Sequence, residues 1–248
     1  MVTDVREKFT EFFEKWVSQL EEYLQLLLKV SNEHVNNVYA CDDQDLQALV
    51  SKVTQHYKEY YSVKWALAQE DALPFFSPTW ATPFENAHSW FTGWKPSMIF
   101  KMLQSIRANR GVPGPSLVAL TQEQLAKIEE LRVKVRLDEA KVEREMERQQ
   151  VSVAERKMVE LARLSCRVAA KNEPVMISEL QVAGLVEVAM KRLVGGLEKV
   201  MKAADCVRLR TLKGVLDVLT PLQCVDFLAG TSILQLRLRQ WGEKRRNM

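Results

Sequence analysis

The chain contains 248 residues, 47% of them hydrophobic, so it is long enough to bury a substantial core. Its formal net charge of +3 is too small to indicate a nucleic-acid partner by itself. The four cysteines are far apart in the sequence and form no C-x-x-C pair, so no zinc-binding or redox motif is present. We expect them to be reduced thiols: Cys41, Cys166, Cys206 and Cys224. The N-terminus lacks the pattern of a signal peptide and no run reaches the ~20 apolar residues of a membrane span, so we expect a soluble protein of the nucleus or cytoplasm.

The first predicted helix begins at Asp4, which has Glu7 at the spacing of a capping box. Apolar residues then recur every three or four positions and form one helix face: Phe9, Phe12, Phe13, Trp16, Leu20, Leu24, Leu27 and Leu28. A polar segment from Ser31 to Asp43 predicts the end of this helix. A second stripe predicts another helix, with Leu46, Leu49, Val50, Val53, Tyr57, Tyr60, Tyr61 and Leu67, which Pro74, Pro78 and Pro83 bring to an end.

A further helix start is predicted at Thr82, because Pro83 takes the first helical position and Glu85 completes a capping box. Gly93 predicts the end of this helix about three turns later. Pro96 then predicts the start of the next one.

The segment 110–116 is rich in glycine and proline and is expected to be a loop. It is the best candidate for an internal boundary, although we predict that residues 1–248 form a single domain. Thr121, with Gln124 at the capping-box position, then begins a long charged helix that we expect to continue to a break at 172–174. Its opposite charges lie three and four residues apart, as on an exposed face, and its apolar stripe is too thin for a coiled coil.

Three more helices follow in the prediction: Leu180 to Ala203 with a bend at Gly195-Gly196, Asp205 to Leu219, and Thr220-Pro221 to about Trp241. No strand-like alternation of any length occurs. The predicted fold class is therefore all-α, a multi-helix bundle of about seven to eight helices that includes one long charged central helix.

Nothing in the sequence indicates an enzyme or a metal site. The three histidines, His34, His56 and His88, lack a recognisable catalytic context. The acidic residues of the charged helix alternate with lysine and arginine, which is typical of a solvated face. The 110–116 loop lacks the spacing and the lysine of a nucleotide-binding loop.

Two features have alternative interpretations. The basic tail at 243–248 suits either a nuclear address or the macrodipole of a terminal helix, and we favour the latter. Trp80, Trp90 and Trp94 could line a ligand cleft, although packing between helices is the interpretation we favour.

Three blocks of sequence, taken together, resemble one plant family. The run PTWATPFENAHSWFTGWKPSMIFKML combines tryptophans, a proline-initiated helix, a glycine turn and a Lys-Pro-Ser step: Trp80, Pro83, Trp90, Gly93, Trp94, Pro96 and Ser97. The run SLVALTQEQLAKIEELRVKV follows, and then KAADCVRLRTLKGVLDVLTPLQCVDFLAG with a later tryptophan: Asp205, Arg208, Thr220, Pro221 and Trp241. In this order they are similar to the delay-of-germination (DOG) domain family and to the C-terminal domain of TGA-type leucine-zipper transcription factors. The chain is identified as a member of the DOG family.

The resemblance implies a non-enzymatic regulator of seed dormancy and germination in abscisic-acid signalling. It implies protein partners such as type 2C phosphatases or leucine-zipper transcription factors, and a homodimer is a further candidate. The TGA-type basic region has no counterpart, so direct DNA reading is not expected. Some family members carry two histidines on the last helix as proposed haem ligands. The matching positions here are Gln235 and Arg239, which do not ligate haem iron, so we expect no cofactor.

The leading hypothesis is a helical interaction module in which residues 90–97 lock two helices at a fixed angle. Partner contact is then expected on the exposed first helix or on the charged central helix. Two alternatives stay open: a transcriptional co-regulator or developmental factor, for example in pollen aperture formation, and a sensor that holds an apolar ligand among its helices.

Overall fold

The computed structural model describes residues 4–35, 42–108, 113–169 and 179–246. It contains the helices α1 (Val5–Val35), α2 (Asp43–Ala68), α3 (Leu73–Phe76), α4 (Pro83–Ala87), α5 (Met98–Ala108), a 3₁₀-helix (Pro115–Ala119), α6 (Gln122–Ser152), α7 (Arg156–Ala169), α8 (Glu179–Val218) and α9 (Pro221–Arg246). Seven of the described helices have eleven or more residues: α1, α2 and α5 to α9. No strand occurs within the described ranges. The predicted all-α class is confirmed.

The centre of the bundle is α9, which packs against α1, α2, α4, α5 and the 3₁₀-helix. The long helices α6 and α8 lie side by side, and α7 packs on α8. One continuous hydrophobic core includes side chains from both sides of the 110–116 loop, for example Leu103 and Leu117. Residues 110–112 of that loop lie outside the described residues.

Local sequence signals place several helix starts correctly. Thr82 caps α4 and Thr121 caps α6, each with a complete capping box. Asp4 accepts a hydrogen bond from the backbone N–H of Arg6 at the start of α1. A side-chain oxygen at the cap position can accept a hydrogen bond from an otherwise unpaired N–H group in the first helical turn. Threonine and aspartate at these positions therefore mark helix starts in the sequence.

The apolar stripe of α1 forms one wall of the core, as predicted. Its members with less than a tenth of their surface exposed are Phe9, Phe13, Trp16, Leu20, Leu24 and Leu27. The predicted end at Ser31 is wrong, because α1 continues to Val35. Ser31 is buried and donates a hydrogen bond to Asp226 of α9 over 2.6 Å. A polar residue that finds a partner on another helix does not have to end its own helix.

The helix predicted from Thr82 to Gly93 is much shorter than expected, since α4 ends at Ala87. Phe91 and Thr92 both have positive φ angles, 39° and 62°, which no helix accommodates. The carbonyl groups of this segment bind side chains from α2 and α8 instead of N–H groups within a helix.

The charged central helix also differs from its prediction. The helix is interrupted between Ser152 and Arg156, so that two helices, α6 and α7, form in its place. The Ser152 hydroxyl donates to the carbonyl of Gln149 in the last turn of α6, a local bond that competes with helix continuation. The break allows α7 to fold back onto α8. The break predicted at 172–174 lies outside the described residues.

The two helices predicted on either side of Ala204 are a single helix, α8. The chain remains helical through the Gly195-Gly196 pair. A Cβ atom added to Gly196 would lie 2.0 Å from Oε1 of Gln149 on α6. The glycine therefore permits close approach of α6 and α8.

Candidate functional site

The most polar part of the interior is a cluster of three buried charged side chains on α2 and α8. The carboxylate of Asp205 accepts hydrogen bonds from Lys64 Nζ at 3.0 Å and from Arg208 Nη1 at 2.6 Å. The indole N–H of Trp65 donates to its second oxygen at 3.0 Å. The side chains of Lys64, Asp205 and Arg208 are at most 1% exposed. We call these three residues the buried charge cluster.

The loop 88–97 supplies the remaining acceptors for the two cations. Arg208 donates to the backbone carbonyls of Trp90, Phe91 and Trp94, and the last of these bonds measures 2.7 Å. Lys64 donates to the carbonyl and the hydroxyl of Thr92. The cluster has one carboxylate for two cations, so these aligned carbonyl dipoles compensate the excess positive charge.

Gly93 has a steric reason to be glycine. A Cβ atom built at this position would lie 3.0 Å from Cζ of Arg208. The backbone N–H of Trp90 also donates to the carbonyl of Gly93, which closes the turn. The loop therefore wraps tightly around the guanidinium group.

Two glutamates of α6 hold the outer side of the same loop. Glu139 is buried and accepts a hydrogen bond from the backbone N–H of Ser97 at 2.6 Å, next to the start of α5. Glu143 accepts from the indole of Trp90 and from Lys95. A carboxylate beside the first turn of a helix is favoured by the helix dipole. These two side chains are therefore part of a structural contact and do not belong to a purely solvated face.

Burial makes Lys64 more acidic than an exposed lysine. Loss of solvation lowers its pKa to about 8, although the neighbouring Asp205 carboxylate favours the charged form and partly opposes this effect. Burial also raises the pKa of Tyr60 and Tyr61 beside the cluster. The cluster is fully enclosed, so no substrate could reach Lys64 without opening of the bundle.

A second group of contacts joins α4 to the last helix. Arg239 donates to the backbone carbonyl of Trp80 at 2.9 Å and lies over the ring of Phe13. Its Nη1 atom lies 3.9 Å from the carboxylate of Glu85. Gly242 faces Thr82, where an added Cβ atom would lie 2.1 Å from the threonine hydroxyl.

Gln235 and Arg239 of α9 both make contacts with protein groups. Gln235 Oε1 lies 3.4 Å from the hydroxyl of Tyr57, and Arg239 makes the contacts described above. Both side chains are therefore engaged within the protein.

The motif residues fall into separate groups. Asp205 and Arg208 are members of the buried charge cluster, and Trp90, Gly93 and Trp94 lie against Arg208. Pro96 and Ser97 follow in the same loop, where the Ser97 N–H binds Glu139. Trp80 packs against Phe9 at a ring distance of 4.6 Å, and Pro83 occupies the first position of α4. Thr220 and Pro221 begin α9, where Thr220 exchanges hydrogen bonds with Gln223. Trp241 lies apart from all of these and is 53% exposed.

Sequence reasoning missed four polar residues that hold this arrangement together: Lys64, Glu139, Glu143 and Asp226. Each looked like one more charge on an amphipathic helix. Lys64 had one available signal, since it lies four residues from Tyr60 and three from Tyr61 and so shares the helix face that carries the apolar stripe.

The described residues contain no group of three or more histidine, cysteine, aspartate or glutamate side chains placed to hold a metal ion. His56 is buried, stacks on Trp16 at 4.7 Å and contacts its carbonyl through Nε2. Cys224 is also buried, whereas Cys166 and Cys206 are exposed, and Cys41 lies outside the described residues. No described helix has both the length and the apolar character needed to cross a bilayer.

Among the described residues, grooves with mainly apolar linings lie on either side of α9. The α1–α9 groove, of about 570 Å³, has Leu24, Leu28 and Leu236 in its lining together with Glu21 and Glu22.

The α5–α9 groove, of about 730 Å³, is lined by Met98, Met102, Ile106, Ile233, Leu234 and Trp241. Both grooves include Ile233 and Arg237, so they form neighbouring parts of one face of the bundle. Exposed apolar surface of this kind is typical of a binding site for another molecule.

Comparison with known proteins gives a consistent set of matches. A family model for DOG1, described as seed dormancy control, matches residues 23–105. The chain is 53% identical over 241 residues to Protein DOG1-like 4 of Arabidopsis thaliana, which covers 97% of this chain and 94% of that protein. It is 29% identical over 255 residues to Protein RESPONSE TO ABA AND SALT 1 of Arabidopsis thaliana, which covers 98% of each.

A more distant match is the TGACG-sequence-specific DNA-binding protein TGA-2.1 of Nicotiana tabacum, at 29% identity over 231 residues. That alignment covers 93% of this chain but 45% of the tobacco protein. The similarity therefore concerns one part of the larger protein.

Proposed function

The chain belongs to the DOG1 family of seed dormancy control, and from that premise we propose that it is a non-enzymatic regulator in dormancy and abscisic-acid signalling which acts by binding other proteins. The observation that carries the proposal is the 53% identity to Protein DOG1-like 4 along almost the whole of both chains. The name of Protein RESPONSE TO ABA AND SALT 1 adds support for the hormone signal.

The geometry of the described residues suits a binding protein better than a catalyst. The strongest electrostatic feature, the buried charge cluster, is enclosed and all three of its members are paired. The accessible features are grooves between helices, with apolar linings. Such grooves recognise other polypeptides, particularly amphipathic helices.

We place the contact with a type 2C phosphatase on the exposed face of α1. Its exposed carboxylates include Glu7, Glu11 and Glu14 at three- and four-residue spacing and Glu21 seven residues further on, with Lys15 as an exposed cation among them. The opposite face is committed to the core. Exposed charges on a rigid helix determine association rate and specificity more than they determine fold stability.

The experiment is a direct binding measurement with a purified type 2C phosphatase. Deletion of residues 1–30 is unsuitable, because it removes the buried stripe of α1 and is expected to unfold the bundle. The double variant Glu11→Arg, Glu14→Arg keeps that stripe and reverses the exposed charge. The matched variant Glu130→Arg, Glu147→Arg makes the same change in net charge on α6.

We expect the α1 variant to weaken phosphatase binding and the α6 variant to leave it unchanged. The reverse result would place the contact on the charged central helix. If the wild-type chain does not bind any type 2C phosphatase expressed in seeds, the proposed partner is wrong.

The match to TGA-2.1 favours a second candidate, a nuclear co-regulator recruited by leucine-zipper transcription factors. This candidate predicts nuclear accumulation and retention on DNA that depends on salt and requires the added transcription factor. A fluorescent fusion and a gel-shift assay with and without that factor distinguish it from a cytoplasmic phosphatase regulator. A third candidate, a sensor of an apolar ligand, predicts a co-purifying small molecule in native mass spectrometry.

A further inference from the structure

The α5–α9 groove exposes large apolar side chains that a stable monomer has no need to expose. Met98 is 39% exposed and Trp241 is 53% exposed. Met102, Ile106 and Leu234 lie half-buried between them. Methionine side chains are flexible and polarisable, and they are over-represented at surfaces that adapt to a bound helix.

The spacing of these residues matches the dimensions of a helical ligand. On α9, the groove is lined at positions 230, 234, 237 and 241, which are separated by three or four residues and therefore share one face. From Gly230 to Trp241 the helix rises by about 16 Å, at 1.5 Å per residue. This length accommodates about three turns of an approaching helix, enough for three anchoring side chains at i, i+4 and i+7.

The charge around the groove has one sign. Among the described residues, its charged lining residues are Lys101 and Arg237, both exposed, and no carboxylate lines it. The Arg237 guanidinium donates to Gln240 of its own helix, and neither Lys101 nor Arg237 forms an ion pair with any described residue. Lys244 and Arg245, three and four residues beyond Trp241, continue the positive charge along the same side of α9.

We propose that the α5–α9 groove is the docking site for an acidic amphipathic helix of a partner protein, with apolar anchors on the methionines and Trp241 and carboxylates against Lys101 and Arg237. The inference rests on the proposed function, since it assumes that the chain acts by binding proteins. It assigns a second contact surface, separate from the acidic face of α1 and opposite to it in charge.

Charge decides between the occupants of this groove. The neighbouring α1–α9 groove carries Glu21 and Glu22 and is therefore less suited to an acidic ligand. In a symmetric dimer of this chain, the two α5–α9 grooves would face each other and bring Lys101 and Arg237 close to their own copies, which is unfavourable. A cationic helix would meet the same repulsion.

The test uses a defined probe, a fluorescein-labelled helical peptide of 18 residues with leucine at i, i+4, i+7 and i+11 and glutamate on both flanks. Its matched control carries lysine in place of every glutamate. Binding to the full chain is measured by fluorescence anisotropy. In parallel, methyl-¹³C-methionine spectra report which methionines contact the peptide, with Met158 on α7 and Met190 on α8 as internal controls far along the chain from α5.

We expect the acidic peptide to bind, the lysine peptide to bind at least about tenfold more weakly, and only the Met98 and Met102 signals to shift. The variant Lys101→Glu, Arg237→Glu should weaken the acidic peptide by about tenfold. The variant Lys134→Glu, Lys199→Glu, with the same change in net charge at exposed positions of α6 and α8, should not. Circular dichroism verifies that both variants fold.

Equal binding of both peptides, or shifts confined to Met158 and Met190, would overturn the proposal. A concentration-dependent dimer in light scattering that Lys101→Glu, Arg237→Glu strengthens would also overturn it, because the groove would then be a self-contact. Phosphatase binding is measured with the same variants. Loss of peptide binding with intact phosphatase binding separates this inference from the proposed function, whose failure would appear as no phosphatase binding in the wild type.

Discussion

Replacement of Asp205 by asparagine should destabilise the bundle more than any surface change of the same size. The substitution keeps the shape of the side chain and one acceptor for the Trp65 indole, but it removes the negative charge between Lys64 and Arg208. The two cations are then left with backbone carbonyls and a neutral amide. At most 1% of each side chain is exposed, so water does not replace the lost charge.

The magnitude follows from this burial. Removing one partner of a buried ion pair costs about 3–5 kcal/mol, because an uncompensated charge stays in the interior. Domains are typically stable by about 5–15 kcal/mol, so the loss is a large fraction of the total. At this chain length each kcal/mol lowers the melting temperature by about 2–4 °C, which gives a decrease of about 6–20 °C.

The loss should also depend on pH. The pKa of Lys64 lies at about 8 in the folded chain, below its ordinary value of 10.5, so its contribution to stability is present at high pH and is lost as the pH falls through about 8. At pH 7 Lys64 is charged and requires the Asp205 carboxylate, whereas at pH 9 it is mostly neutral. Asp205→Asn should therefore cost more at pH 7 than at pH 9.

The assay is urea denaturation followed by circular dichroism at both pH values. Glu187→Gln serves as the control, because Glu187 forms an exposed ion pair with Lys191 in the interior of α8 and its loss should leave the unfolding midpoint unchanged. In a Lys64→Met background the effect of Asp205→Asn should be smaller, since one of the two cations is gone. A loss below about 1 kcal/mol, or no difference between the backgrounds, would refute the account of the cluster given above.

Three further predictions concern single positions. Trp94→Ala should lower the free energy of unfolding by about 2 kcal/mol, because the half-buried ring packs on the core, and helicity and partner binding should be lost together. Lost binding with an unchanged melting temperature would instead make Trp94 a contact residue. Burial lowers the pKa of His56, so the stability that this residue contributes above pH 6.5 is lost as the pH falls. The variant His56→Phe can still stack on Trp16 and should show a smaller decrease in urea midpoint between pH 7 and pH 5 than the wild type. An equal decrease would contradict this prediction. Gly242→Ala should cost about 1–3 kcal/mol in urea denaturation, because its methyl group would overlap Thr82, and Gly184→Ala, with open space around it, is the control that should not.

Features governed by nearest neighbours along the chain were predictable. The apolar stripe of α1 lies where its three- and four-residue spacing places it, and the capping boxes at Thr82 and Thr121 begin helices as expected. These signals need only residues within one or two helical turns. The motifs that resemble the family are likewise runs of adjacent residues.

The candidate site was predictable only in part. The loop 88–97 carries the motif residues Trp90, Gly93 and Trp94, but its local sequence predicts a helix and not the observed turn. The carbonyls that a helix would use internally are bound to Arg208, which lies more than 110 residues further along the chain. Such a partner leaves no periodic signal near the loop.

The sequence by itself determined that this protein is an all-α bundle, where most of its helices begin and which side chains of α1 form the core. The tertiary structure alone decided that α8 continues through Asp205, that α4 stops at Ala87 and that two grooves stay open along α9. The physical reason is the range of the interactions. Hydrogen bonds within a helix turn are local, whereas a buried carboxylate is stabilised by cations from distant parts of the chain, and Lys64 and Asp205 are 141 residues apart.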